Sequence, residues 1–325
     1  MDRWRPQSLL RVLVYHRVED AASARSDLNP DLVTATPRLF QHHLRHLARA
    51  YTPIGADELL AACAGRHTLP DRAVLVTFDD SYRDFSDVAW PLLRQYRIPA
   101  VLFAPTAFLG DSERIFWWDA LWQIVSRTRR TGIELATSRA VGRLALDDRA
   151  RATRVLTARL KQLRPRQREL ELEWLSERLG VHPEPTHAVL KWSAVKGLQQ
   201  EGLTVAGHSR THELLDRLDP AELTEEIAGC RDDLVRELGC CTPLFAYPNG
   251  NVDGRVMAAT DAAGFKLGFT TVRGVNYFGT DDVRLLRRDD GRTSRLLFVL
   301  KLSSAVARLR TRRHALPLVV GGADR

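Results

Sequence analysis

Short runs of consecutive apolar residues alternate along this chain with stretches whose apolar positions recur at helical spacing. The runs Leu9–Tyr15, Ala73–Phe78, Ala100–Phe103, Leu203–Ala206, Pro243–Tyr247 and Leu267–Thr271 read as strands. Ala73–Phe78, bounded by Pro70 and Asp79, has the pattern of a strand buried on both faces. Phe40–Tyr51, Tyr82–Tyr96, Pro220–Leu238 and Val256–Ala263 read as helices, the last closed by Gly264. A repeated strand–helix alternation predicts an α/β fold of parallel strands with helices packed outside them.

The middle of the chain breaks this rhythm. From about 111 to 190 it is rich in Arg, Leu and Glu at helical spacing and shows no strand-like run. This predicts a helical insertion into a catalytic frame that occupies residues 1–304. The aromatic-dense stretch Phe116–Trp122 reads as an amphipathic helix packed on that frame, or as a platform on which sugar rings stack. The end, Ala305–Arg325, reads as a basic tail.

Composition narrows the classes. The 325 residues are 44% hydrophobic and 27% charged, which excludes a disordered, collagen-like or multi-span membrane chain. The formal net charge is +8, and arginine far outnumbers lysine. The arginines are spread along the chain without an aromatic–basic recognition pattern, so no nucleic-acid partner is expected. The basic tail offers peripheral contact with an anionic membrane surface. Cys63, Cys230, Cys240 and Cys241 make neither a disulfide framework nor a CxxC zinc site. No long apolar run and no signal-peptide cleavage pattern follow the start, so a cytoplasmic location is expected. Oligomeric state stays open.

Chemistry-bearing residues cluster at predicted strand ends. Asp79 and Asp80 follow Ala73–Phe78 directly. Adjacent carboxylates either cap the next helix or sit at a cation. His208 and His212, at i,i+4 after Leu203–Ala206, either face solvent or hold one metal from one face of a turn. Both pairs fall on the same rim of a parallel sheet, where barrels carry their active sites, and that coincidence favours a metal site. His16 ends the first strand and reads equally as a rim residue or a structural histidine. Pro248-Asn249-Gly250 is a turn that can aim N–H groups into a cleft or simply end a strand.

The ordered set VYHRV, VTFDD, GHSRTH and FAYPNG resembles the polysaccharide deacetylases, the NodB-like carbohydrate esterase family 4. The resemblance covers Leu9–Tyr51, Ala73–Leu109 and Lys191–Phe298. It implies a distorted (β/α) barrel of about seven units. It also implies Asp79 as catalytic base, Asp80, His208 and His212 as ligands of one divalent metal (Zn2+, with Co2+ or Ni2+ as alternatives), and the backbone N–H of Asn249 as an oxyanion donor. Asn249 departs from the family's Tyr-Pro-Tyr-Gly. The family's late Leu-x-His acid has no counterpart here, since the late histidine, His314, lies in the basic tail. His16 or a water stands in for that acid. Arg287 loosely matches a late arginine that orients the base, or is one more surface arginine. The expected function is metal-dependent removal of N-acetyl groups from an amino-sugar glycan. The alternatives are hydrolysis of a non-sugar amide C–N bond and catalytically silent glycan binding.

Overall fold

The computed structural model describes residues 8–20, 28–111, 113–136, 141–186, 188–278, 285–286, 288–303 and 306. Arg287, His314 and nearly all of the basic tail lie outside them. The chain divides into two compact units, one of Met1–Asp20, Val33–Gly110 and Ala188–Arg325, the other of Ala21–Leu32 and Asp111–His187.

The first unit is built on a nearly closed, barrel-shaped sheet. Besides the two-residue strand Thr52–Pro53, which pairs parallel with Ala73–Phe78, its strands are β1 (Ser8–Tyr15), β2 (Ala73–Phe78), β3 (Ala100–Ala104), β4 (Thr204–Gly207), β5 (Thr242–Ala246), β6 (Leu267–Phe269), β7 (Asn276–Phe278), β8 (Leu285–Leu286) and β9 (Asp289–Asp290). The spatial order is β7-β1-β2-β3-β4-β5-β6-β8, with β9 also on β1. All neighbours are parallel except β7, which runs antiparallel to β1.

Side-chain alternation splits the strands between two cores. Leu10, Val12, Leu75, Val101, Phe103, Ala206, Leu244, Ala246 and Phe269 share one cluster inside the barrel. Leu13, Val74, Val76, Phe78, Leu102 and Val205 share another with the helices outside it. Both faces are buried, which is why these strands read as unbroken apolar runs. The same parity turns Asp79 and His208, each just past a strand end, toward the barrel axis.

Several helices start and stop where their chemistry dictates. Pro37–Ala50 begins with Thr36 accepting the Leu39 N–H, 3.2 Å. Pro220–Leu238 has an Asp219–Glu222 capping box and ends on Gly239 in the left-handed conformation. Tyr82–Tyr96 is not one regular helix. Phe85–Ala89 is π-helical and runs into the α-helix Trp90–Gln95, directly after the Asp79–Asp80 pair.

The second unit has its own core of Leu121, Ile124, Val125, Leu156, Leu160, Leu175 and Leu179. The helix Trp117–Arg127 packs on Arg149–Leu160 and Pro165–Leu179 of the same unit. Trp118 is buried and stacks on Phe116. The expectation of a purely helical middle is corrected: Gly132–Ala136 and Val141–Ala145 pair as an antiparallel hairpin. Its period-2 signal is short and rests on Ile133 and Leu135 alone, which contribute the buried side. Among the described residues no helix is long and apolar enough to cross a membrane.

Candidate metal centre and active site

β2 and β4 deliver their chemistry to one spot. The Asp79 N–H donates to the Tyr15 carbonyl at 3.0 Å, tying the end of β2 to the end of β1. The His208 N–H donates to the Ala104 carbonyl at 3.2 Å, tying the end of β4 to β3. The His208 ring Nδ1 lies 2.7 Å from the Ala246 carbonyl, so it carries the proton and donates. That leaves Nε2 with its lone pair facing Asp80 Oδ1 at 3.5 Å. His212 Nε2 stands 3.2 Å from the same oxygen. One ligand atom each from Asp80, His208 and His212 lies within 4.8 Å of the other two, and all three residues are buried.

This donor set fits a divalent cation. Asp80 Oδ1 is a buried carboxylate oxygen with no hydrogen-bond partner. Three lone-pair atoms converging in a buried place repel unless a cation sits among them. Two neutral imidazoles and one carboxylate also leave coordination positions open, as a catalytic centre requires.

Asp79 stands beside this set but is held differently. Arg288 Nη1 donates to Asp79 Oδ1 at 2.7 Å, and Arg288 Nε donates to the Thr270 carbonyl at 3.0 Å. The guanidinium is 1% exposed and lies over the Phe103 ring. The second oxygen, Oδ2, is turned to the ligand side, 3.9 Å from His208 Nε2. Burial disfavours charge on Asp79, but Arg288, then His208 and His16, hold its carboxyl below the usual range. Burial likewise opposes charge on Asp80, and the two imidazoles hold it well below. His208 is pushed down by burial and, more strongly in sum, up by the Asp79 and Asp80 carboxylates. His212 is lowered, mainly by burial.

The arginine seen at Asp79 is Arg288; the expected Arg287 lies outside the described residues. His16 is partly buried just past the end of β1, its backbone N–H donating to Thr34 Oγ1 at 3.0 Å. Asn249 follows β5, next to the strand that delivers His208. It adopts φ 58°, and its side chain donates to Asn251 Oδ1 at 2.7 Å. Gly250 follows at φ 78°, where a Cβ would come 2.2 Å from Thr271 Oγ1. Left-handed backbone at non-glycine residues concentrates here, at Asp80, Ser81, Ser209, His212 and Asn249. Such conformations persist where the surroundings over-determine them, which is common at functional sites.

The loop that carries His208 and His212 is braced by acids that sequence reading passed over. Glu226 Oε2 accepts the N–H groups of Arg210 (3.0 Å) and Thr211 (2.8 Å). Asp233 Oδ2 accepts from Arg210 Nε at 3.0 Å and from the Thr106 hydroxyl at 2.8 Å. Ser209 Oγ accepts the His212 N–H at 3.0 Å. Glu226 and Asp233 sit at i,i+7 among the buried Leu223, Ile227, Cys230 and Leu234 of Pro220–Leu238. Two acids on an apolar helix face were the available signal.

The family model described as polysaccharide deacetylase matches residues 66–138 and 172–268. The poly-beta-1,6-N-acetyl-D-glucosamine N-deacetylase of Escherichia coli (strain K12) is 27% identical over 144 residues, 41% of this chain and 21% of that protein. The matched part thus spans about a fifth of the curated relative's length. The Streptococcus pyogenes deacetylase PplD, solved in complex with acetate, superposes with TM-score 0.60 at 18% identity, covering 91% of this chain and 99% of that one. IcaB from Ammonifex degensii gives TM-score 0.59 at 20% identity, covering 93% and 97%. At these identities the two structures establish a shared fold.

Proposed function

The chain belongs to the polysaccharide deacetylase family, and from that premise we propose that it hydrolyses N-acetyl groups from an amino-sugar polysaccharide with a divalent metal held by Asp80, His208 and His212. The observation that carries the reading is the convergence of those three buried ligand atoms beside an Asp79 whose other oxygen is engaged by Arg288. The polymer is of the class named for the Escherichia coli relative, an N-acetylglucosamine chain.

A divalent ion at this site, Zn2+ or alternatively Co2+ or Ni2+, supplies Lewis acidity that activates water and polarises an acetamide carbonyl. The chain's own residues do the rest. Asp79 Oδ2 takes the proton of the attacking water, while Arg288 fixes Oδ1 and keeps the group ionised. The backbone N–H of Asn249 is the donor toward the tetrahedral oxyanion. The carbonyl–nitrogen bond then breaks, and the departing amine needs a proton. In this reading His16, just past the end of β1, gives it. Arg288 takes the orienting role expected of Arg287.

The test is acetate release from a panel of N-acetylated amino-sugar oligomers and small non-sugar amides, with bound metal measured in parallel. Sugar-selective release is expected, with Asp79→Asn folded, metal-loaded and slowed about 10²–10⁴-fold. Release from the small amides alone would shift the substrate class to non-sugar amides. Undiminished turnover by Asp79→Asn would remove the proposed base. Cell fractionation checks the expected cytoplasmic location.

A further inference from the structure

The helix Arg295–Leu302 exposes an apolar face on the barrel unit. Leu296 is 70% exposed, Leu297 57%, Leu300 48% and Val299 38%. At about 100° per residue these four fall side by side, with Arg295 and Lys301 at the two margins and the buried Phe298 and Leu302 opposite. Phe298 anchors the helix by stacking on His43 of Pro37–Ala50, with ring centroids 3.7 Å apart. Solvent-facing leucines alone do not identify what covers them. The charge around them does.

Neither helix contains an acidic residue. Pro37–Ala50 carries Arg38, Arg45 and Arg49 with His42, His43 and His46. Arg38 and Arg49 are exposed, and Arg45 is partly so. The positive groups converge on one surface: partial burial, then the charges of Arg295, Arg45 and Arg38, hold His42 below its usual pKa. The nearest acids by sequence to Arg295–Leu302 are Asp289, which is buried, and Asp290, 4.0 Å from Arg292; those flanking Pro37–Ala50 are Asp31, paired with Arg154, and, beyond its C-terminal end, Asp57 and Glu58, the latter accepting the Gly55 N–H. The sequence after the helix adds Arg308, Arg310, Arg312 and Arg313.

An apolar ridge bordered by cations on both sides complements one environment, a bilayer surface with anionic headgroups. We propose that the surface formed by Pro37–Ala50 and Arg295–Leu302 docks on an anionic phospholipid membrane. Leu296, Leu297, Val299 and Leu300 enter the acyl boundary, while Arg38, Arg45 and Arg295 meet phosphate groups, the longer stems snorkelling along the helix; Lys301, donating to the Asp290 carbonyl at 2.6 Å, adds its charge at the far margin. The inference is independent of the proposed chemistry, because none of these residues belongs to the site.

Flotation of the full chain with phosphatidylcholine vesicles, with and without phosphatidylglycerol, tests it. The protein should float with anionic vesicles only and be released by high salt. The double variant Leu296→Ser/Leu300→Ser should keep its thermal midpoint and its acetate release from a short soluble substrate, yet lose vesicle affinity about tenfold or more. Arg38→Gln/Arg295→Gln, at two exposed positions, should weaken binding by about fivefold per lost charge. The proposal is overturned by absence of flotation, by equal binding to neutral vesicles, or by unchanged binding in the leucine variant while Arg308→Gln/Arg310→Gln/Arg312→Gln/Arg313→Gln abolishes it. It is also overturned if the wild type is a dimer that the leucine variant dissociates, which would make the ridge a contact between two copies.

Discussion

Asp79 and Arg288 are 209 residues apart in the chain and 2.7 Å apart in space. In the proposed mechanism their contact distinguishes the aspartate that acts as base from the one that acts as ligand. Asp80 stands against two imidazole nitrogens, whereas Asp79 has a guanidinium on one oxygen. Removing that guanidinium leaves a buried carboxylate whose main remaining influence is burial, so its pKa rises. Arg288→Gln should therefore move the acid limb of kcat/KM to higher pH and lower the neutral-pH value by about tenfold or more; an unmoved limb would show that Asp79 does not depend on Arg288. The sequence offered Arg287 as a loose motif match, and that residue lies outside the described ones; the contact of Arg288 with Asp79 joins positions 209 apart, which no local pattern encodes. The Asp-Asp and His-x-x-x-His pairs were legible because each follows an unmistakable apolar run.

At the scale of elements, Pro220–Leu238 does more than cover the sheet. Its capping box and apolar stripe were plain in the sequence, but Glu226 and Asp233 face the ligand loop only once the helix is docked. Glu226 holds two consecutive loop N–H groups and the Thr211 hydroxyl, so it sets where His208 and His212 stand. Glu226→Gln should lower metal affinity about tenfold, as loss of outer-shell support does, measured by competition with a chromophoric chelator; unchanged affinity would reduce Glu226 to a surface brace. The turn after β5 behaves likewise. Pro-Asn-Gly marks a turn in sequence, but the close approach of Thr271 is what makes Gly250 hard to replace. Gly250→Ala should cost about 1–3 kcal/mol in thermal or denaturant unfolding, from backbone strain and the clash together.

Across the whole molecule, two buried groups should shape stability against pH in opposite senses. Asp84, which accepts the Val18 N–H at 2.6 Å, is pushed up to about 6, chiefly by burial. Between its unfolded and folded values the folded state binds more protons, so its contribution falls as pH rises through that window. His43 is lowered to about 4, chiefly by burial. There the unfolded state binds more protons, so stability is lost as pH falls from the unfolded value toward 4. Relative to the wild type, Asp84→Asn should gain about 2–3 kcal/mol between about pH 4 and about pH 7. A pH-independent difference in thermal midpoints would contradict the raised pKa. The sequence by itself determined the parallel α/β frame, the order of strand-end motifs, the resemblance they carry and an insertion in the middle, because each is written in local periodicity and spacing. Only the tertiary structure decided which arginine meets Asp79, which acids brace the ligand loop, that the insertion contains a hairpin and packs its Trp helix into its own core, and that an apolar ridge lies among cations. Those are contacts between segments distant in the chain, and no local pattern encodes the register at which such segments meet.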